Sequence, residues 1–490
     1  MKVYKLLFVL SISLIFIFTA CEDRSDLTAP GNPSTGSVDF SSFVAIGNSL
    51  TAGYQSNALY QGAQEYSFNN LIAAQVGATF VQPLVSEPGI PGKLQVTSLE
   101  LDAAGNLTGV NFEAASGLGS PLNLEYAAPY NNLGIPGSIL FDVADTADFT
   151  TKSAGRGNPY FSLVLRNPAL GNSVMAQALA QKPTFVSLWI GNNDVLGYAT
   201  SGGTQGTDQT GTQPTDPNVF AFLYDQLVTT LAGTGAKVAV ANIPNVKDVP
   251  YFTTVGPRVA QALQAAQQQN PQIQGLVYFM GDNQTPNVAT PDDLAAFKSL
   301  VILTGGEFAE YIGQPFNFYD AVGAQTPPNV DPTQPFGVTP QNPWPNALIL
   351  DPTEIDLVEQ RTGEFNNTIA GLVAANSSNF VLIDINAEFA NIASKTNAGQ
   401  AYVVDGIPFT AEFIAGGLFS LDGVHPSNYG YGIVANMFIS AINNKWGASI
   451  SLVDIGALPA SLPLAKKKEL INNNWYPKFK YGSLDNVSYQ

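Results

Sequence analysis

The stretch Phe43-Val44-Ala45-Ile46-Gly47-Asn48-Ser49-Leu50-Thr51-Ala52-Gly53-Tyr54 decides the fold class of this chain. Four apolar residues closed by glycine predict a short buried strand, and the polar pair after them predicts a turn into a helix. Three later stretches repeat the apolar part: TFVSLWIG at 184–191, KVAVANIP at 237–244 and NFVLIDIN at 379–386. None alternates apolar with polar residues, so they read as central parallel strands covered on both faces. Helical patterns lie between and after them. Residues 217–236 place Phe220, Leu223, Leu227 and Leu231 on one face, 352–377 opens with Thr353 and Glu354, and 428–447 is a third. Strands alternating with helices predict an α/β fold with a central parallel sheet between helices.

Three stretches break this rhythm and read as insertions. Residues 91–115 alternate with period two around an Ala-Gly-Asn turn, which predicts a hairpin. Residues 200–217 form a Gly/Thr/Gln loop, and 284–347 are rich in Pro, Asn and Gln. Loops of this length in a compact domain are lids, binding loops or decoration. They are expected to wall the site and select the substrate. Phe336 and Trp344 in the last of them either line an acyl groove or, as is commoner for aromatics in Pro-rich loops, anchor the loop. The domain is expected over 38–446, with 447–490 as a C-terminal extension packed back on it.

Composition narrows the function. The chain has 490 residues, 45% of them hydrophobic, which is enough for a sizeable core. Twenty basic residues against 38 acidic ones give a net charge of −18, which argues against a nucleic-acid partner. One histidine and one cysteine exclude zinc sites of the Cys/His kind. At the N-terminus, Lys2 and Lys5 precede the apolar run Leu6 to Phe18, which is too short for a comfortable membrane span but suits a signal peptide over 1–20. Phe18-Thr19-Ala20-Cys21 resembles a bacterial lipobox, which implies lipid attachment at Cys21 and a membrane tether. Residues 22–37 are polar and rich in Pro, Gly and Ser, so 21–37 reads as the lipidated cysteine and a flexible linker. The expected location is outside the cytoplasm, lipid-anchored to the cell envelope at the outer membrane.

The single histidine, His425, lies in Ser420-Leu421-Asp422-Gly423-Val424-His425-Pro426. Asp422, three residues upstream, can reach the imidazole Nδ1, fix its tautomer and stabilise the imidazolium. Ser49 follows the first strand, at the C-terminal sheet edge where sites form in parallel sheets. Taken alone, Ser49 reads equally well as a helix N-cap. The strand at 185 ends in Gly191-Asn192-Asn193-Asp194, where a carboxamide can donate to an oxyanion or simply close an Asx turn.

Together, GNSLTAGY, GNND and DGVHP resemble, in order and context, the SGNH hydrolases (GDSL esterases and lipases). The resemblance covers roughly residues 40–445. It implies a flavodoxin-like three-layer sandwich and a cofactor-independent, metal-independent serine ester hydrolase. It assigns Ser49 as nucleophile, His425 as general base and acid, and Asp422 as the residue that orients His425. The oxyanion hole would be the Ser49 N–H, the Gly137 N–H and the Asn193 side chain. Gly137 comes from Asn132-Leu133-Gly134-Ile135-Pro136-Gly137, preferred over the duplicate Gly-Ile-Pro-Gly ending at Gly92. The family's usual Asp before the serine is Asn48 here, which keeps the shape and hydrogen-bonding reach of Asp. The stretch 242–252 is similar to a proline-bearing loop of the family. Expected substrates are acyl lipids, small esters or acylated glycans. The alternative expectation is a non-catalytic surface lipoprotein that binds glycan or protein on the same scaffold.

Overall fold

The computed structural model describes residues 34–484 except 146–148, 151–156, 205–213, 281–284, 461–474 and 481. The signal peptide, Cys21 and the linker up to residue 33 lie outside the described residues. Among the described residues no helix is long and apolar enough to cross a membrane.

Five strands form one parallel sheet: β1 (Phe43–Gly47), β4 (Asn132–Gly134), β5 (Phe185–Trp189), β6 (Lys237–Ala241) and β7 (Phe380–Ile383), with β2 and β3 in a separate sheet described below. Their spatial order is β7-β6-β5-β1-β4. β1 and β5 are buried along their whole length, as their largely apolar sequences require, and the one polar residue of β5, Ser187, donates to Asn69 Oδ1 at 2.6 Å. β4 was expected only as a glycine-bearing segment; it is the sheet's edge strand and runs beside β1. From β1 the chain steps first to β4 on one side and then to β5 on the other. The order of connection therefore reverses at β1, and a crevice opens beyond its C-terminal end.

Helices pack against the sheet in two groups. One contains α2 (Phe68–Val76) and α9 (Asn428–Trp446). The other contains α3 (Leu140–Ala144), α4 (Asn193–Thr200), α5 (Pro217–Ala232) and α7 (Pro352–Ala375). α5 starts at Pro217 because the Asp216 side chain accepts from the Asn218 and Val219 N–H groups, an N-cap followed by proline at the first helical position. Its buried face is Phe220, Tyr224, Leu227, Val228 and Leu231, so the stripe includes Tyr224, while Leu223 is only half-buried. α7 is opened by Asp351 and not by Thr353. Asp351 accepts from the Glu354 N–H, and Glu354 accepts from the Asp351 N–H, a reciprocal capping box.

The hairpin insertion is present as antiparallel β2 (Leu94–Leu101) and β3 (Leu107–Ala114). The C-terminal segment adds a third strand, β8 (Tyr476–Phe479), parallel to β3. Phe479 stacks on Phe112 with centroids 4.6 Å apart, and Lys478 bridges Glu100 and Glu310. In the long insertion Phe336 and Trp344 are fully buried, with ring centroids 5.5 Å apart, so they anchor the loop.

The turn from β1 into the next helix depends on Gly47. A Cβ there would lie 2.1 Å from Thr51 Oγ1 and 2.3 Å from the Trp189 carbonyl oxygen. Gly47→Ala is expected to destabilise the protein by about 1–3 kcal/mol through overpacking, read as a lowered urea midpoint.

Candidate active site

Ser49 is the first residue of α1 (Ser49–Ala52), directly after β1. The cap of this helix is Asn48, whose Oδ1 accepts the Leu50 N–H at 3.1 Å and whose Nδ2 donates to Asn192 Oδ1 at 3.3 Å. An aspartate at 48 could accept the first bond but not donate the second. Because Asn48 takes the capping role, the Ser49 hydroxyl is free for another partner. Its Oγ lies 2.8 Å from His425 Nε2. Ser49 is 4% exposed and His425 1%.

His425 sits in the loop that leads into α9. Proline at 426 restricts His425 to extended backbone, and the Ser420 N–H donates to the His425 carbonyl at 2.8 Å. Ser427 then caps α9 by accepting the Gly430 N–H. Proline and cap together fix where the imidazole leaves the chain. The Tyr54 ring covers one side of the imidazole, with centroids 4.8 Å apart.

Asp422 is completely buried. Its Oδ2 accepts from His425 Nδ1 at 3.0 Å and from the Asn57 N–H at 2.8 Å, and its Oδ1 accepts from the Val424 and His425 N–H groups at 2.9 and 2.8 Å. Burial alone pushes this carboxyl up. The facing imidazole and the N–H donors of His425 and Asn57 outweigh burial and hold it below the usual aspartate range. The Asn57 donor was not anticipated. Gln55 and Ala58 exchange backbone hydrogen bonds around Ser56 and Asn57, which have φ of 51° and 60°. Two successive left-handed residues make a type I′ turn, and this turn aims the Asn57 N–H at Asp422. Asparagine tolerates that conformation best among non-glycine residues, the only trace of the turn in the sequence.

Asn193 is the first residue of α4, and its Nδ2 donates one hydrogen to the Ser138 carbonyl at 2.9 Å. The carboxamide retains a second hydrogen. Gly137, at φ 79°, reaches the site through Ser138 and is not part of the pocket lining. Neither the Ser49 nor the Gly137 N–H has an acceptor among the described residues. Asn132 ties β4 to α1, donating to the Thr51 carbonyl at 2.8 Å and accepting from the Gly134 N–H. Gly92 lies at the foot of the hairpin against Ala115 and Gly117. Asp194 is structural: it accepts from the Leu140 N–H and from Thr215 Oγ1, joining α3 and α4 to the start of α5.

A pocket of about 50 Å³ opens at Ser49 and His425. Its walls are mainly apolar and include Trp189, Leu196, Ile243, Val246, Phe389 and Val424. The segment 243–249 thus forms one wall, a role its sequence did not announce. The insertions at 200–217 and 284–347 were expected to wall the site, but none of their described residues does so. The pocket is lined instead by residues that follow the sheet strands and by Phe389 of the helix Ile385–Asn397.

Because the folded Asp422 carboxyl is held below its unfolded value of ~3.9, its contribution to stability is complete above that value and is lost as pH falls through the folded pKa. In urea titrations run from about pH 6 down to about pH 3, Asp422→Asn is expected to be less stable than the parent protein at the upper end, with the gap closing towards the lower end. No family model, curated protein or solved structure matches this chain, so its own geometry carries the functional argument.

Proposed function

We propose that the protein is a serine ester hydrolase of the SGNH type, working through Ser49, His425 and Asp422. The observation that carries this reading is the unbroken relay from Asp422 Oδ2 to His425 Nδ1 (3.0 Å) and from His425 Nε2 to Ser49 Oγ (2.8 Å). The strand order supports the finer fold reading. Counted along the chain it is 2-1-3-4-5, the flavodoxin-like arrangement, and the relay sits at its switch point. Helix groups packed on such a sheet fit a three-layer sandwich.

In this mechanism Ser49 Oγ attacks the ester carbonyl carbon while His425 Nε2 takes the hydroxyl proton. The carbonyl electron pair moves to oxygen, and the oxyanion is held by the Ser49 and Gly137 N–H groups and the second Asn193 amide hydrogen. Collapse breaks the C–O bond to the alcohol, which leaves with the proton from His425. Water then gives a proton to His425, attacks the acyl-enzyme and releases the acid, restoring Ser49. Asp422 stays ionised throughout and stabilises the imidazolium. A binding scaffold gains nothing from a hydroxyl held against an imidazole that faces a buried carboxylate, whose desolvation costs several kcal/mol before compensation. The narrow apolar pocket suits short acyl groups. The sequence of residues 1–37 supports an exported protein tethered to an envelope membrane through lipid on Cys21.

Activity on p-nitrophenyl esters is expected, falling from acetate and butyrate to palmitate. Ser49→Ala and His425→Ala are expected to reduce it to background, Asp422→Asn to lower kcat by about 10⁴-fold, and Asn193→Ala by about 10²–10³-fold. A fluorophosphonate is expected to label Ser49. A well-folded protein with no turnover across the series, or label on another serine, overturns the reading.

A further inference from the structure

A second cleft, of about 430 Å³, lies on the far side of the turn at Val246–Asp248 from the Ser49 pocket. The two cavities share walls. Val246 and Val249 line the pocket while Lys247 and Asp248 line the cleft. On the helix Ile385–Asn397, Phe389 faces the pocket and Ala393 and Asn397 face the cleft. Their chemistry differs sharply: the pocket is largely apolar, whereas the cleft carries Arg258, Asp248, Glu412, Gln261 and Asn397.

One of these groups, Arg258, is not fully satisfied among the described residues. Arg258, in the first turn of the helix Gly256–Gln269, lays its guanidinium over the Trp475 ring at 4.6 Å, and its buried Nη1 has no hydrogen-bond partner. Asp248 lines the same cleft, yet among the described residues no ion pair joins it to Arg258. Burial, more than any charge around it, raises the Asp248 carboxyl to about 6. Lys247 is already paired with Glu359. Phe297 is half-buried on the cleft wall; with its φ of 56° it is the left-handed residue that closes the helix Pro291–Ala295, with the Lys298 N–H donating to the Asp293 carbonyl at 2.8 Å. Desolvated donors and acceptors left unpaired cost free energy unless a ligand completes them.

We propose that this cleft is a binding site for a neutral sugar unit. A pyranose offers hydroxyls that donate to Asp248 and Glu412 and accept from Arg258, and a C–H face that packs on Phe297. An anionic ligand fits less well, because two carboxylates face a single uncommitted cation and the whole chain carries −18. A cleft of this size also falls within the range of small-molecule sites, ~300–1,000 Å³. Combined with the hydrolase reading, on which this last step rests, the arrangement assigns the acyl group to the narrow apolar pocket and the carbohydrate of an acylated glycan to the polar cleft.

The test titrates full-length Ser49→Ala protein with neutral β-1,4-linked tetrasaccharides of xylose, glucose and N-acetylglucosamine, and with glucuronate and inorganic phosphate, by calorimetry and saturation-transfer NMR. At least one tetrasaccharide is expected to bind, with affinity falling about tenfold or more in Arg258→Gln and in Asp248→Asn. Phe297→Ala is expected to remove saturation transfer from the sugar C–H face. No binding of any tetrasaccharide, binding unchanged in variants that melt like the parent, or preference for phosphate or glucuronate overturns the proposal. In the protein with Ser49 restored, hydrolysis of acetylated tetrasaccharide supports the link to the pocket. Sugar binding without ester hydrolysis leaves the cleft standing and removes the hydrolase reading; ester hydrolysis without sugar binding does the reverse.

Discussion

The arrangement depends on keeping one carboxylate charged with no exposure to water. An ion taken out of solvent costs several kcal/mol even after relaxation, and Asp422 is compensated by N–H donors from separate parts of the chain. Two come from its own loop, one from the imidazole and one from Asn57. The donor at Asn57 needs a left-handed turn, and the Asn57 side chain in turn donates to the Ser483 carbonyl at 2.9 Å. The N-terminal turn, the histidine loop and the C-terminal segment therefore meet at the acid. This explains why a C-terminal extension, itself a strand beside the hairpin, is part of the structure that carries the relay.

The sheet supplies the other half of the arrangement. At β1 the connections diverge to β4 and β5, so the loops after these strands bring Ser49, the Gly137 segment and Asn193 to one rim. The contacts that hold this rim are polar and buried: Asn48 to Asn192, Asn193 to Ser138, Asn132 to Thr51. Carboxamides suit this role because each donates and accepts at once without carrying a charge that would perturb the relay.

Beyond the rim the molecule divides its chemistry by wetness. The 243–249 segment and the helix Ile385–Asn397 line both cavities, giving mainly apolar side chains such as Val246, Val249 and Phe389 to the Ser49 pocket and Lys247, Asp248, Thr396 and Asn397 to the neighbouring cleft. The long insertion reaches this second cleft through Phe297, and none of its described residues lines the pocket. Much of the rest of it folds on its own aromatic cluster, including the stacked Tyr311 and Phe316 at 4.0 Å.

Local chemistry was legible in the sequence. Largely apolar runs marked the strands at 43, 185, 237 and 380, because a strand covered on both faces leaves few polar positions, and Ser187 in one of them is bonded to Asn69. The Asp-x-x-His spacing, the serine after a strand end and the GNND cluster marked chemistry-bearing residues for the same reason, since each signal is complete within a few positions. The structure decided what those signals do together. Ser49 and His425 are 376 positions apart, and nothing in either neighbourhood states that their side chains meet. The Asn57 donor to Asp422 and the pairing of Arg258 with Trp475 are likewise contacts between residues whose own sequence context is ordinary. Periodicity and turn chemistry act over one turn or one strand, whereas the placement of a hydroxyl against an imidazole is set by how the whole sheet and its loops pack.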